Sequence, residues 1–145
     1  MAGILAAVKL REAGFTDIVV YEKADRLGGT WRENTYPGVA CDVPSHLYSY
    51  SFAPNPDWSH VFSPGSEILD YLESVARRFG VERHVQYSAE VRRLAFEGGR
   101  WRLTTADGRH DVADVVVAAT GVLHHPAQPE LEGLEHFGGA WFHSA

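Results

Sequence analysis

The sequence predicts an α/β fold, a parallel sheet with helices on one face and a small antiparallel β-meander on the other. Three observations point there. Met1 to Ala13 followed by Ile18 to Glu22 reads as an α-then-β unit; Gly98-Gly99 and Asp107-Gly108 punctuate three short strand-like runs; and Val112 to Ala119, the most apolar run, fits a return to a buried sheet strand.

Taken in order, Ile4, Leu5 and Val8 make Met1 to Ala13 an amphipathic helix that Gly14 ends. Ile18-Val19-Val20-Tyr21-Glu22 fits a buried parallel strand. A long turn-rich region follows, marked by Gly28-Gly29, Pro37-Gly38, Pro44, Pro54, Pro56 and Pro64. Irregular stretches of that length usually carry a function. Within it, the aromatic run Leu47 to Phe52 alternates as a half-buried strand does.

Ser63 is placed to cap a second helix with Pro64 at its first position. Ile68, Leu69, Leu72, Val75, Ala76 and Phe79 share one face, and Gly80 ends it. Val85 to Tyr87, Glu90 to Phe96, Arg100 to Thr105 and Val112 to Ala119 then read as strands.

Composition narrows the function classes. The 145 residues, 45% hydrophobic and 22% charged, fit one globular unit. A net charge of −6 without a block of like charges argues against a nucleic-acid partner. Cys41 is the only cysteine, so no internal disulfide can form and a reducing, cytoplasmic setting is expected. Lys9, Arg11 and Glu12 interrupt the first apolar run too early for a signal peptide or a stable membrane insertion. The eight histidines lack cysteine or carboxylate companions at a metal-site spacing, so no metal is expected. No G-x-S-x-G elbow supports a hydrolase.

A dinucleotide-binding unit is built from a strand, a glycine-rich turn, a helix whose N-terminus faces the pyrophosphate, and a second strand ending in an acid that binds ribose. Gly3 fits the third glycine of such a turn, and Glu22 the acid. Both residues also fit plain helix packing and a polar strand end. The first strand and first two glycines of the G-x-G-x-x-G turn are missing from the sequence.

Downstream, Glu22-Lys23-Ala24-Asp25-Arg26-Leu27-Gly28-Gly29-Thr30-Trp31 resembles the E-K-x-x-x-x-G-G-T-W stretch of flavin-containing and Baeyer–Villiger monooxygenases, and Asn34, Tyr36-Pro37-Gly38 and Cys41-Asp42 continue it in register. Asp114 to Gly121 resembles the A-T-G-ending strand of flavoproteins with two dinucleotide domains. Phe137, Gly139 and His143 match the first part of F-x-G-x-x-x-H-x-x-x-W-[PD], the signature that separates Baeyer–Villiger enzymes from their relatives.

The resemblance implies an FAD/NAD(P)-binding Rossmann-like three-layer domain, incomplete at both ends, with residues 1–145 a partial FAD-binding domain and the NADP-binding domain outside the chain. Glu22 would accept hydrogen bonds from ribose hydroxyls, and its charge would repel a 2′-phosphate, which suits FAD at this site. Gly28 and Gly29 would bring backbone N–H groups to the cofactor, with the Thr30 hydroxyl beside them. Trp31 would lie against the flavin, although an aromatic there also fits core packing.

Asp42, the one catalytic candidate, would orient a cationic group or an amide near flavin and nicotinamide, where an isolated Asp would be a solvated turn residue. Tyr48 would contact the cofactor; the Val91 backbone would hold the adenine; Thr120 and Gly121 would admit the cofactor closely. The implied activity is an FAD- and NADPH-dependent oxidation by O2 of a ketone to an ester or lactone through a C4a-peroxyflavin. Nitrogen or sulfur oxidation of another organic substrate, and a truncated remnant without catalysis, are the alternatives. The remnant reading expects apolar faces of Ile18 to Tyr21 and Val115 to Ala119 to be uncovered, and the chain to aggregate alone.

Overall fold

The computed structural model describes residues 1–143. Its elements run α1 (Ala2–Glu12), β1 (Val20–Tyr21), α2 (Thr30–Glu33), α3 (Gly65–Arg78), β2 (Val85–Gln86), β3 (Val91–Glu97), β4 (Arg100–Thr105) and β5 (His110–Ala113). Single 3₁₀ turns sit at Glu82–His84 and Leu134–His136. β1 and β2 pair in parallel, and β3-β4-β5 form an antiparallel meander. This is the Rossmann-like α/β arrangement expected, with the parallel and antiparallel sheets kept separate.

The two helices behave as their patterns dictate. Ile4, Ala7 and Val8 bury one face of α1, and Ile68, Leu72, Val75 and Ala76 one face of α3, in a single core with Leu27, Cys41, Tyr50, Ala53 and Val81. Each large aliphatic side chain so buried contributes about 1.5–3 kcal/mol. The Arg11 guanidinium in α1 donates to the Phe79 carbonyl at 2.5 Å, tying α1 to the end of α3. Gly14 and Gly80, past the two helix ends, take positive φ values of 91° and 62° that non-glycine residues rarely adopt.

The long irregular segment is held by buried polar contacts. Ser45 and Ser63 share a hydroxyl–hydroxyl hydrogen bond at 2.8 Å, and the Ser63 N–H donates to the Ser45 hydroxyl at 2.9 Å. Tyr71 of α3 donates its hydroxyl to the Ala53 carbonyl and accepts from the Tyr50 N–H. Ser63 thus serves the loop and makes no cap bond; Pro64 itself occupies the cap position. Leu47 to Phe52 is a turn, not a strand, because Tyr48 and Leu47 donate their N–H groups back to Pro44 and Tyr50 bridges only to Ala53.

Two strand expectations need correction. Ile18 to Glu22 is parallel but not buried: only Val20 and Tyr21 form a ladder, and Val19 is exposed. Val112 to Ala119 is strand only to Ala113, leaving Val115 75% and Val117 56% exposed. Strand backbone needs a neighbour for its N–H and C=O groups, and among the described residues none pairs with residues 115–119. The first two strands of the meander match expectation within a residue at each end, with Glu97 opposite Arg100 across the Gly98-Gly99 turn, while the third starts two residues early at His110 and stops at Ala113. Both glycines have positive φ, 61° and 82°, as a type I′ hairpin requires.

Candidate cofactor-binding site

Glu22 stands at the end of β1, held by an extension of the parallel pairing. Its N–H donates to the Gln86 carbonyl and its carbonyl accepts from the Ala89 N–H, both at 2.9 Å. The backbone that carries the carboxylate is therefore fixed by the sheet. Oε1 of Glu22 accepts from the Ala24 N–H at 2.9 Å and lies 3.4 Å from Nη1 of Arg32. Burial pulls the Met1 ammonium below its ordinary value, an effect that the charge of Glu22 opposes.

The glycine turn leads from this acid into α2. Gly28 has φ 130°, and a Cβ there would meet Cδ1 of Leu69 at 2.5 Å and Cβ of Arg32 at 2.7 Å, so only glycine fits. Gly29, φ 55°, caps α2 and faces open space: a Cβ would meet nothing within 4 Å. One glycine is required by the protein's packing, and the other leaves its backbone accessible. The Gly29 carbonyl accepts from Arg32 and Glu33, and Thr30 begins the helix, its carbonyl accepting from the Asn34 side chain at 2.9 Å.

Trp31 donates its indole N–H to the Tyr48 hydroxyl at 3.1 Å, with the rings edge to face and centroids 5.6 Å apart. The indole also covers the start of α3, where a Cβ on Gly65 would come within 3.2 Å of it. Trp31 and Tyr48 are half-buried and pack against the core, so one face of this pair is structural.

A charged chain continues outward. Arg32 donates to the Arg26 carbonyl at 2.5 Å and pairs with Glu33 at 2.8 Å, while Glu33 Oε2 lies 2.9 Å from Nδ1 of His124. Lys23 reaches Nε2 of the same imidazole. Burial works to raise Glu33, but hydrogen bonds from His124 and Arg32 outweigh it and hold the carboxyl below its ordinary value. Gly3 in α1 faces Ala119 at 3.8 Å, ordinary contact distance for an added Cβ. Thus Ala119 meets α1 and His124 meets Glu33, on either side of Thr120 and Gly121.

Asp42 is exposed on the loop after the Pro37-Gly38 turn. Val91 opens β3 at an irregular register facing Thr105. Phe137 folds its ring over Gly139, and both, like His143, are exposed. Two clefts, of about 240 and 390 Å³, lie elsewhere: one beside Tyr21, Arg109 and Asp111, the other beside His46, Trp58 and His60. Among the described residues no group of three or more His, Cys, Asp or Glu is placed to hold a metal ion, and no helix is long and apolar enough to cross a membrane.

Sequence reasoning gave Arg32, Glu33, Lys23 and His124 no role at the site. Arg32-Glu33 directly follows the G-G-T-W motif and His124 lies three residues past Gly121, but only the fold brings them together.

The chain is similar to several known proteins. A family profile described as an NAD(P)-binding Rossmann-like domain matches residues 1–64. A Baeyer–Villiger monooxygenase of Streptomyces coelicolor is 54% identical over 99% of this chain, and one of Pseudomonas aeruginosa 42% identical over 99%. Among solved structures, an oxidized steroid monooxygenase bound to NADP superposes with a TM-score of 0.82 at 37% identity over 92% of this chain and 27% of its own. Cyclohexanone monooxygenase from Rhodococcus sp. Phi1 bound to NADP+ does so at 0.82 and 37% over 97% of this chain and 28% of its own. The chain spans 28% of the length of each of the two Baeyer–Villiger relatives.

Proposed function

We propose that this chain, similar over 99% of its own residues to Baeyer–Villiger monooxygenases, belongs to a protein that uses FAD and NADPH to oxidise a ketone to an ester or lactone. Residues 1–145 form part of its FAD-binding domain. The observation that carries the reading is the pairing of a sheet-anchored carboxylate, Glu22, with the accessible glycine turn at Gly29.

The residues present fit the adenosine half of FAD. The contacts of Glu22 with Ala24 and Arg32 both fall on Oε1, which leaves Oε2 to accept from ribose hydroxyls. Gly29 carries no side chain between its backbone and a ligand, and the Thr30 hydroxyl follows it. The Val91 backbone would hold the adenine; Thr120 and Gly121, small residues between the Ala119 and His124 contacts, would border the cofactor.

When bound, FAD supplies the redox chemistry with O2. The net reaction balances as ketone + NADPH + H⁺ + O2 giving ester + NADP⁺ + H2O. The chain's own residues bind and orient. Trp31, fixed by Tyr48 and Gly65, offers a rigid wall that excludes water. Asp42, exposed on its loop, is free to orient an amide or a cation of the nicotinamide cofactor. Phe137, Gly139 and His143 form the segment expected to carry the Baeyer–Villiger signature. A single buried cysteine suits the reducing cytoplasm.

The test is product analysis: the purified protein, NADPH and air are incubated with panels of ketones, sulfides and amines. Ester or lactone from a ketone is the expected product. Oxygenation of sulfides or amines alone replaces the reading with nitrogen or sulfur oxidation, and no NADPH consumption with any substrate or with O2 overturns it.

A further inference from the structure

We propose that Arg32 positions the Glu22 carboxylate for its ligand, and that Glu33, His124 and Lys23 hold Arg32 in turn; the inference rests on the FAD reading of Glu22 above. Although α2 is only four residues long, the Arg32 side chain is 9% exposed, a burial that requires charge partners. It has them on both sides. Nη1 lies 3.4 Å from Glu22 Oε1 and donates to the Arg26 carbonyl, while Nη2 donates to Glu33 Oε1 at 2.8 Å. The planar fork thereby fixes one carboxylate against another at a set spacing, as a lysine's single nitrogen would not.

The second carboxylate is fixed as well. A lysine ammonium only donates, so the contact from Lys23 makes Nε2 of His124 the acceptor. Nδ1 of the same ring then serves as the donor to Glu33 Oε2. Lys23 follows Glu22 directly, and His124 lies three residues beyond Gly121. The chain of contacts thus closes on itself and clasps the segment that follows Thr120-Gly121 to the acid at the strand end. With Ala24 and Arg32 both on Oε1, Glu22 is held in one orientation before any ligand arrives. The Met1 ammonium, which the Glu22 charge also reaches, makes no part of the fork.

The experiment titrates the protein and its Arg32→Met, Arg32→Lys and His124→Ala variants with FAD, with ADP and with FMN. Glu22 meets only the adenosine half, so Arg32→Met should weaken FAD and ADP on the order of tenfold and leave FMN unchanged. Arg32→Lys should recover part of the loss, and His124→Ala should show a smaller loss with the same ligand pattern. Unchanged ADP affinity in Arg32→Met, or equal losses for ADP and FMN, overturns the positioning role. If Arg32→Met fails to fold, His124→Ala decides, because its half-exposed ring can be removed without emptying the core; unchanged ADP affinity there overturns the inference. Failure of the unaltered protein to bind FAD and ADP instead overturns the reading of Glu22 itself, and the inference with it.

Discussion

At the scale of single residues, the two glycines of the turn have opposite reasons to be there. Gly28 is fixed by steric closure against Leu69 and Arg32, whereas Gly29 has positive φ but empty surroundings. Gly28→Ala should therefore destabilise the fold by about 2–4 kcal/mol, through backbone strain and displaced neighbours, in urea denaturation. Gly29→Ala should cost less, about 1–2 kcal/mol of backbone strain alone at φ 55° and ψ −127° with no neighbour displaced, while interfering with ligand binding. Equal losses at the two positions would contradict this division of labour.

Charged side chains make a further residue-scale prediction. Glu33, Glu67, Asp107 and Asp111 are all held below their ordinary values: Glu67 by bonds from Ser59, Asp107 by Thr105, Asp111 by Tyr21, and Glu33 by His124 and Arg32 against the opposing effect of burial. A depressed carboxyl binds its proton more readily in the unfolded chain, so its contribution is present above the unfolded value and is lost as pH falls through the folded one. Melting temperature should accordingly drop on acidification below pH 4.5, the ordinary value for the glutamates. A melting temperature flat through that range would contradict the assignment.

Elements formed where the local pattern and its neighbours agreed. α3 and the meander were legible because their signals are self-contained: an apolar stripe on one helix, and two glycine turns between strands that pair with each other. Val115 to Ala119 was misread because apolar composition says a strand belongs in a sheet but does not supply the neighbour. Ser63 was misread because capping and loop bonding use the same hydroxyl, and Ser45, 18 residues away, takes it. Glu22 and the glycine turn were legible by spacing, whereas Arg32 and His124 meet only through tertiary structure.

The two sheets are joined by an element-scale contact that can be tested. Tyr21 in β1 donates its hydroxyl to Asp111 in β5 at 2.5 Å. Burial, with that bond and the Asp111 charge, pushes the phenol from 10.0 up to about 12. Because the folded value is raised, the contribution is complete below pH 10 and is lost as pH rises toward 12. Tyr21→Phe should lower stability by about 1 kcal/mol at neutral pH and flatten the alkaline loss. An unchanged alkaline slope would remove this tie from the account.

On the scale of the whole molecule, the core lies between α1, α3 and the long loop, while apolar side chains at Val115, Val117, Val122 and Leu123 stay uncovered. Uncovered apolar side chains favour association. The chain expressed alone should aggregate, and replacing Val115 and Val117 with lysine should raise its solubility without lowering its melting temperature. A clear loss of stability in that double variant would mean that the segment is packed.

The account turns on one acid beside one turn, Glu22 with Gly28-Gly29. The most direct test is the affinity of the protein for FAD before and after Glu22→Gln, a change that keeps shape and removes the charge. The account predicts FAD binding by the unaltered protein and a loss on the order of tenfold in the variant, with folding intact. Equal FAD affinity in the two proteins would contradict it.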